Sequence, residues 1–376
     1  MIYWLYEHRD LFSAQDGFIY KLLNLFRYHT FRAGGAAVTA FAISLLFGER
    51  LIRKLISLKI GQPIRTAEEV NKLFELHGKK AGTPTMGGIL ILGSLVIATL
   101  LWCKWENPMV WTVLFTTAGL GMLGFYDDYL KISKRNSKGV SARLKLAWQG
   151  SVALIAALVF AYVIPGEDGG HLRALHVPFL KDALFADMSF VAVILFTLII
   201  VGASNAVNLT DGLDGLATGC SLTTALAYAA FGYVAGNAKY SGYLDVPHLS
   251  LAAELPIVAM ALAGSCLGFL WWNAHPAKMF MGDTGSLALG GCIATLAIGC
   301  KQEVVLVLVG GVFVTEALSV MLQVASFKSR GKRIFRMSPI HHHFELGGWH
   351  ENQVITRFWI ASLIFALLGL ATLKLR

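Results

Sequence analysis

Three groups of carboxylates interrupt an otherwise apolar chain: Asp127-Asp128, Asp211 with Asp214, and Asp283. Asp283 stands in Met281-Gly-Asp-Thr-Gly-Ser286, where a helix start would favour phosphate and the glycines would let backbone N–H groups approach it. A carboxylate in that place repels phosphate unless a cation bridges the two, and magnesium prefers one or two carboxylates plus phosphate oxygens. The plainer role for Asp283 is a helix N-cap. Asp211 and Asp214 lie in Asn205-Ala-Val-Asn-Leu-Thr-Asp-Gly-Leu-Asp-Gly215. Three apart, they would share one face of a helix and could hold a hard cation or a donor-rich ligand. Alternatively, Asn208 and Asp211 cap a helix end while the glycines permit a turn. Asp127 and Asp128 point about 100° apart on a helix, so they should do different jobs. One can approach a metal or act as a base while the other packs against a neighbouring loop; both could also simply anchor an interface beside Tyr126 and Tyr129.

Two basic groups extend this chemistry. Lys80, just before Gly82-Thr-Pro-Thr85, can neutralise a phosphate or stay solvated in its loop. His341-His342-His343 follows Ser338-Pro339-Ile340. The proline favours an extended approach, which predicts that His341 and His343 face one way and His342 the other. With no cysteine or third ligand in pattern, hydrogen bonding to phosphate or sugar suits these imidazoles better than zinc.

The elements that must position these residues are apolar. Of 376 residues, 56% are hydrophobic and only 15% charged, well short of the quarter usual in soluble domains. Windows of roughly twenty apolar residues recur throughout. They predict an all-α polytopic membrane protein, one integral membrane domain over 1–376, with about ten transmembrane helices. The spans are predicted at 24–47, 86–103, 108–126, 146–164, 188–207, 215–235, 252–272, 285–300, 304–326 and 354–373. Arg27 and Arg32 interrupt the first, so Phe18–Tyr28 is an alternative interfacial helix. The net charge of +9 gathers in connections one, three and nine, which is a membrane-orientation signal rather than a nucleic-acid surface. It predicts odd connections in the cytoplasm and both termini in the periplasm. No cleavable signal precedes the first span. The five cysteines have no metal-ligand spacing and read as buried structural thiols. Every odd connection carries one polar cluster and the even ones nothing comparable, which predicts one site assembled on the cytoplasmic face.

Asp127-Asp128, Asn205 to Ala217, Phe280-Met-Gly-Asp-Thr-Gly-Ser-Leu287 and Pro339-Ile-His-His-His-Phe-Glu345 occur in that order. In these motifs the chain resembles the bacterial phospho-N-acetylmuramoyl-pentapeptide transferases (translocase I). That family lies in the polyprenyl-phosphate N-acetylhexosamine-1-phosphate transferase superfamily. The likeness runs from Gly82 to the C-terminus; Gly82-Thr-Pro-Thr-Met-Gly-Gly88 and the triple histidine favour the muramoyl-pentapeptide branch. The resemblance implies a bacterial inner-membrane homodimer. It implies magnesium-dependent transfer of phospho-MurNAc-pentapeptide from UDP-MurNAc-pentapeptide to undecaprenyl phosphate, giving UMP and lipid I in peptidoglycan synthesis. It implies Asp283 as the magnesium ligand, with Asp127 as candidate base, Asp128 beside it and His342 as a further catalytic group. Lys80, Thr85, Asn208 and Asp211 would bind substrate, with Gly212, Leu213, Asp214 and Asn273. Phe280 would lie near the uracil, and Gln323, His341 and His343 would also contact substrate. The alternatives are a UDP-GlcNAc transferase acting on the same lipid and, from another class, a secondary transporter of an anionic solute, which would place its polar site near the bilayer midplane.

Overall fold

In lipid an apolar run can satisfy its backbone polar groups only as a helix or in a closed barrel. Each of the ten predicted segments is helical in the computed structural model of the protein, which describes residues 1–12, 17–58, 82–134 and 139–374. The helices are α1 (His29–Ser57), α2 (Gly88–Trp102), α3 (Pro108–Ser133), α4 (Ala142–Leu158) and α5 (Phe190–Thr210). They continue with α6 (Leu216–Ala235), α7 (Leu255–Asn273), α8 (Gly282–Gly299), α9 (Gly311–Arg330) and α10 (Glu351–Ala371). There is no strand among the described residues, and Leu175 and Phe185 form an isolated bridge. Seven of the helices are long and apolar enough to cross a membrane, namely α1, α3, α4, α5, α7, α9 and α10. The chain is thus an all-helical, multi-pass membrane protein.

Several boundaries differ from expectation, among them the end of α3, which runs to Ser133 and not 126 and so carries Asp127 and Asp128 within the helix. The first long helix starts at His29 and runs to Ser57, beyond the predicted 24–47, while Phe18–Asn24 forms a short separate helix. Arg32 is tolerated inside α1 because its guanidinium is fully buried against a carboxylate. The predicted span 304–326 is split at Gly310 into Leu306–Val309 and α9. Beyond α4, Val159–Val163 continues as a π-helical turn.

Local chemistry explains several of the ends. Asn107 caps α3, its Oδ1 accepting from Met109 N at 2.9 Å and Val110 N at 3.3 Å, with Pro108 at the first helical position. Ser141 caps α4 through Leu144 N. The α5–α6 connection is a tight turn that begins at Asp211 and closes at Gly215 in the left-handed region (φ +77°). All five cysteines are free and buried, as expected of structural thiols.

α8 is the axis of the bundle, buried from Thr284 to Gly299 and packed against α2, α3, α5 and α6. α7 lies between α1 and α6. At one end of the bundle Arg32 donates to both Glu254 oxygens, at 2.7 and 2.6 Å, and to Trp102 O. Asp168 there accepts from Ser250 and Leu251 backbone N–H groups. The acidic motifs gather at the other end.

Candidate active site

α3 and α8 cross closely enough to bring their acidic ends together, and glycine permits it: a Cβ on Gly124 would overlap the Asp283 carbonyl, and one on Gly88 of α2 would overlap Gly285. The two neighbouring aspartates of α3 then separate in role. Asp128 turns onto the start of α8, where its carboxylate accepts from Asp283 N (3.2 Å), Thr284 N (3.0 Å) and Thr284 Oγ1 (2.8 Å). It satisfies N–H groups that the first turn leaves without partners and places negative charge at the positive end of the helix. Asp127 instead accepts from Val140 N at 2.6 Å and pairs with Lys131, one turn along α3, at 2.6 Å.

Asp283 lies in the first turn of α8 but is not its cap, a position held by Met281. Its carboxylate faces the site. Asn208, in the last turn of α5, donates to Oδ1 at 2.8 Å and to Ser286 Oγ at the same distance. Lys145 of α4 and Lys131 of α3 donate to Oδ2 at 2.7 and 3.1 Å. Oxygens of Asp127, Asp128 and Asp283 lie within 4.8 Å of one another. An all-oxygen donor set of this kind fits a hard cation such as magnesium and lacks the soft or nitrogen donors zinc prefers. Two ammonium groups beside it fit the phosphate oxygens that such a cation usually shares.

Asp211 and Asp214 do not form a pair on one helical face, because α5 ends at Thr210 and both lie in the turn. Asp211, half-buried, faces the acidic cluster. Burial, and then the negative charges of Asp283, Asp128 and Asp214, push its carboxyl well above the usual range. Asp214 turns away and is buried, accepting from His275 Nδ1 at 3.0 Å and Ala277 N at 3.1 Å. Glu351, at the start of α10, accepts from Asp214 N at 3.2 Å and approaches the same imidazole. This second cluster ties the α5–α6 turn to the α7–α8 connection and to α10.

A family description, "Glycosyl transferase family 4", matches residues 110–301. The span 80–92 matches signature 1 of the phospho-N-acetylmuramoyl-pentapeptide-transferases. Proteins named phospho-N-acetylmuramoyl-pentapeptide-transferase are similar over nearly their whole length. That of Desulfotalea psychrophila is 52% identical, covering 94% of this chain and 96% of the relative. That of Methylacidiphilum infernorum is 48% identical with the same coverage. That of Geobacter sp. strain M21 is 50% identical over 95% of this chain and 97% of its own. The chain belongs to the phospho-N-acetylmuramoyl-pentapeptide-transferase family.

The remaining residues that the family motifs single out divide into those at the acidic cluster and those that brace it. Thr85 is buried beside Asp128, both within reach of a Cβ on Gly282. Phe280 joins the Gly82–Gly88 turn through its backbone, donating to Pro84 O and accepting from Gly87 N, each at 2.8 Å. Gly212 is exposed on the α5–α6 turn, and Leu213 is buried beneath it. Asn273 is buried and spends its amide within the protein, accepting from Thr218 Oγ1 and donating to Met279 O. Gln323 staples the 331–339 loop, bonded to Phe335 O, Ile334 N and Phe335 N at 2.9 Å each. Lys80 lies outside the described residues.

The histidines of this family member do not alternate as an extended strand would. Pro339 itself is extended, but it stands at the N-cap, and Ile340–Glu345 is a helix. Proline constrains the residue before it and leaves a helix free to start after it. The His341 and His342 rings consequently lie 4.1 Å apart between centroids. Each is held at Nδ1 by a carboxylate: His341 by Glu316 at 3.1 Å, His342 by Glu345 at 2.8 Å. His343 Nδ1 accepts from Arg336 N, and its ring contacts Phe335 and Phe344.

Several groups around the site escaped the sequence reading, His275 and Glu351 beside Asp214 among them. Lys131 and Lys145 looked like orientation charges, although the i,i+4 spacing of Lys131 from Asp127 was a usable signal. Glu345 ended a recognised motif without an assigned role. Glu316, a carboxylate within an apolar run, was the strongest missed signal, because ionisable groups there are costly.

Proposed function

We propose that this protein transfers phospho-MurNAc-pentapeptide from UDP-MurNAc-pentapeptide to undecaprenyl phosphate, releasing UMP and forming lipid I for peptidoglycan. The names of relatives similar at about 50% identity over nearly the whole chain support the transferred group. The observation that carries the chemistry is the junction of Asp127, Asp283, Lys131 and Lys145, where two ammonium groups meet two carboxylates. A reaction between two anionic phosphates needs such charge cancellation. Magnesium is the proposed cofactor: Asp283 would hold it, with Asp127 and Asp128 alongside, and it would supply Lewis-acid neutralisation of the diphosphate.

The chain's own residues account for the rest. Lys131 and Lys145 hold phosphate oxygens and screen the approach of acceptor to donor. Asp127 takes the proton of the acceptor phosphate, whose oxygen forms a bond to the donor's sugar-bearing phosphorus as the bond from that phosphorus to UMP breaks. The α5–α6 turn, with Gly212 and Leu213 beside Asp211, forms the wall against the nucleotide. Direct attack is favoured over a covalent aspartyl intermediate because two substrates held at one cluster need only alignment. Trapping a phosphorylated Asp127 in the absence of acceptor lipid would reverse that preference.

The enzyme works in the bacterial inner membrane as a ten-span homodimer, its odd connections in the cytoplasm and its termini in the periplasm. The concentration of Lys and Arg in those connections supports that orientation, as does the cytosolic supply of UDP-sugars. The test is to give membranes undecaprenyl phosphate and magnesium with each UDP-sugar in turn. UMP release with UDP-MurNAc-pentapeptide is expected. Release with UDP-GlcNAc alone would transfer the chain to the related activity, and release with neither would favour a transporter.

A further inference from the structure

Glu316 lies in α9 with both its side chain and that of His341 fully buried. A carboxylate in a spanning helix is costly enough to require a purpose. Its Oε1 is 3.1 Å from His341 Nδ1. Among the described residues, Glu316 Oε2 and His341 Nε2 have no hydrogen-bond partner. The hydrogen bond between Glu316 and His341 sets the ring's orientation from the Nδ1 side. The opposite edge of the ring lies directly beneath Gly212: a Cβ there would overlap Nε2 and Cε1. Gly212 is exposed on its other side, and its N–H is already bonded to Thr210 O. The imidazole therefore acts as a buttress under a turn whose outer surface faces the site, and Glu316 fixes the buttress.

We propose that Glu316 is a positioning residue for the donor nucleotide, acting through His341 on the Gly212 turn. The proposal rests on the reading of that turn as the donor-facing wall. A shifted buttress displaces the turn that contacts the nucleotide, yet leaves Asp127, Asp283 and the two lysines where they are. Loss of the buttress thus weakens ground-state and transition-state binding of the donor alike, which raises KM without lowering kcat.

The experiment measures kcat and both KM values for the full chain in detergent with lipid acceptor and magnesium, after thermal melting shows each variant folded. Glu316→Leu, which removes the acceptor at similar volume, is expected to raise the donor KM about tenfold, with kcat and acceptor KM within about twofold. Glu316→Gln, which keeps an oxygen for Nδ1–H, is expected to stay within about threefold of the parent in donor KM. Gly212→Ala presses on the same ring from above and should reproduce the Glu316→Leu signature; if Glu316→Leu does not fold, Glu316→Asp, which draws the carboxylate back from Nδ1 by one methylene, takes its place with the same rise in donor KM expected. An unchanged donor KM in Glu316→Leu, or a fall in kcat without one, overturns the proposal. If Gly212→Ala still raises the donor KM in that case, the donor-wall reading stands while the role of Glu316 falls. A raised acceptor KM in both variants, with the donor KM unchanged, overturns both.

Discussion

Asp283 is held by three side chains at once, Asn208, Lys131 and Lys145, and its exchange for asparagine removes charge without changing shape. Asp283→Asn is therefore expected to fold normally and to lose turnover by about a thousandfold, as when a preorganised electrostatic group is deleted. Equal melting temperatures with UMP release near the parent rate would remove Asp283 from the metal site. The histidines divide by their partners. His342 is fixed by Glu345, whereas His343 accepts from the Arg336 backbone N–H and packs on two rings. His342→Ala should slow turnover by about a hundredfold, the range of an acid–base or hydrogen-bonding group, and His343→Ala by much less. Unchanged rates in alanine variants of all three would make the motif structural. The carboxylate motifs were readable as chemistry because charged residues in an apolar chain are conspicuous. Which carboxylate bonds which amine was not readable, because Asp127, Lys145, Asn208 and Asp283 come from four different helices.

At the scale of elements, the α3–α8 crossing sets the distance between the acids. Gly124 lets the Asp283 backbone lie against α3, so Gly124→Ala should force the helices apart and cost about 1–3 kcal/mol by overpacking. It should also lower turnover while Asp127 and Asp283 remain present. A variant with parent melting temperature and parent kcat would show that the crossing tolerates a methyl group. The positions of all ten long helices were legible from apolar runs near the length of a bilayer crossing. Their breaks were less so: the segment 304–326 is interrupted at Gly310, and α1 extends to Ser57 beyond its apolar window. The helical His341-His342-His343 segment went against an expectation drawn from Pro339 alone, since a proline at an N-cap starts a helix rather than extending a strand.

Among the described residues, the ion pairs lie toward the two ends of the bundle. At the end away from the acidic cluster, Arg32 joins α1 to the start of α7 through buried Glu254. Arg32→Leu leaves that carboxylate largely uncompensated and should cost about 3–5 kcal/mol, whereas Arg32→Leu with Glu254→Leu should recover most of it. Melting in detergent checks both; a double variant no more stable than the single one would mean that the pair itself, and not the stranded charge, is what matters.

The amino-acid sequence by itself determined that the chain is a bundle of apolar helices and that its polar motifs cluster in alternate connections. Those follow from local quantities, the length of apolar runs and the sparseness of charge, which each segment expresses without its neighbours. Tertiary structure alone decided that Asp128 caps α8 while Asp127 faces lysine, that Asp214 leaves the acidic cluster for His275 and Glu351, and that Glu316 lies behind His341 and the Gly212 turn. Each of these depends on two or more helices meeting at one depth and rotation, set by the packing of their whole lengths and invisible in any single run of residues.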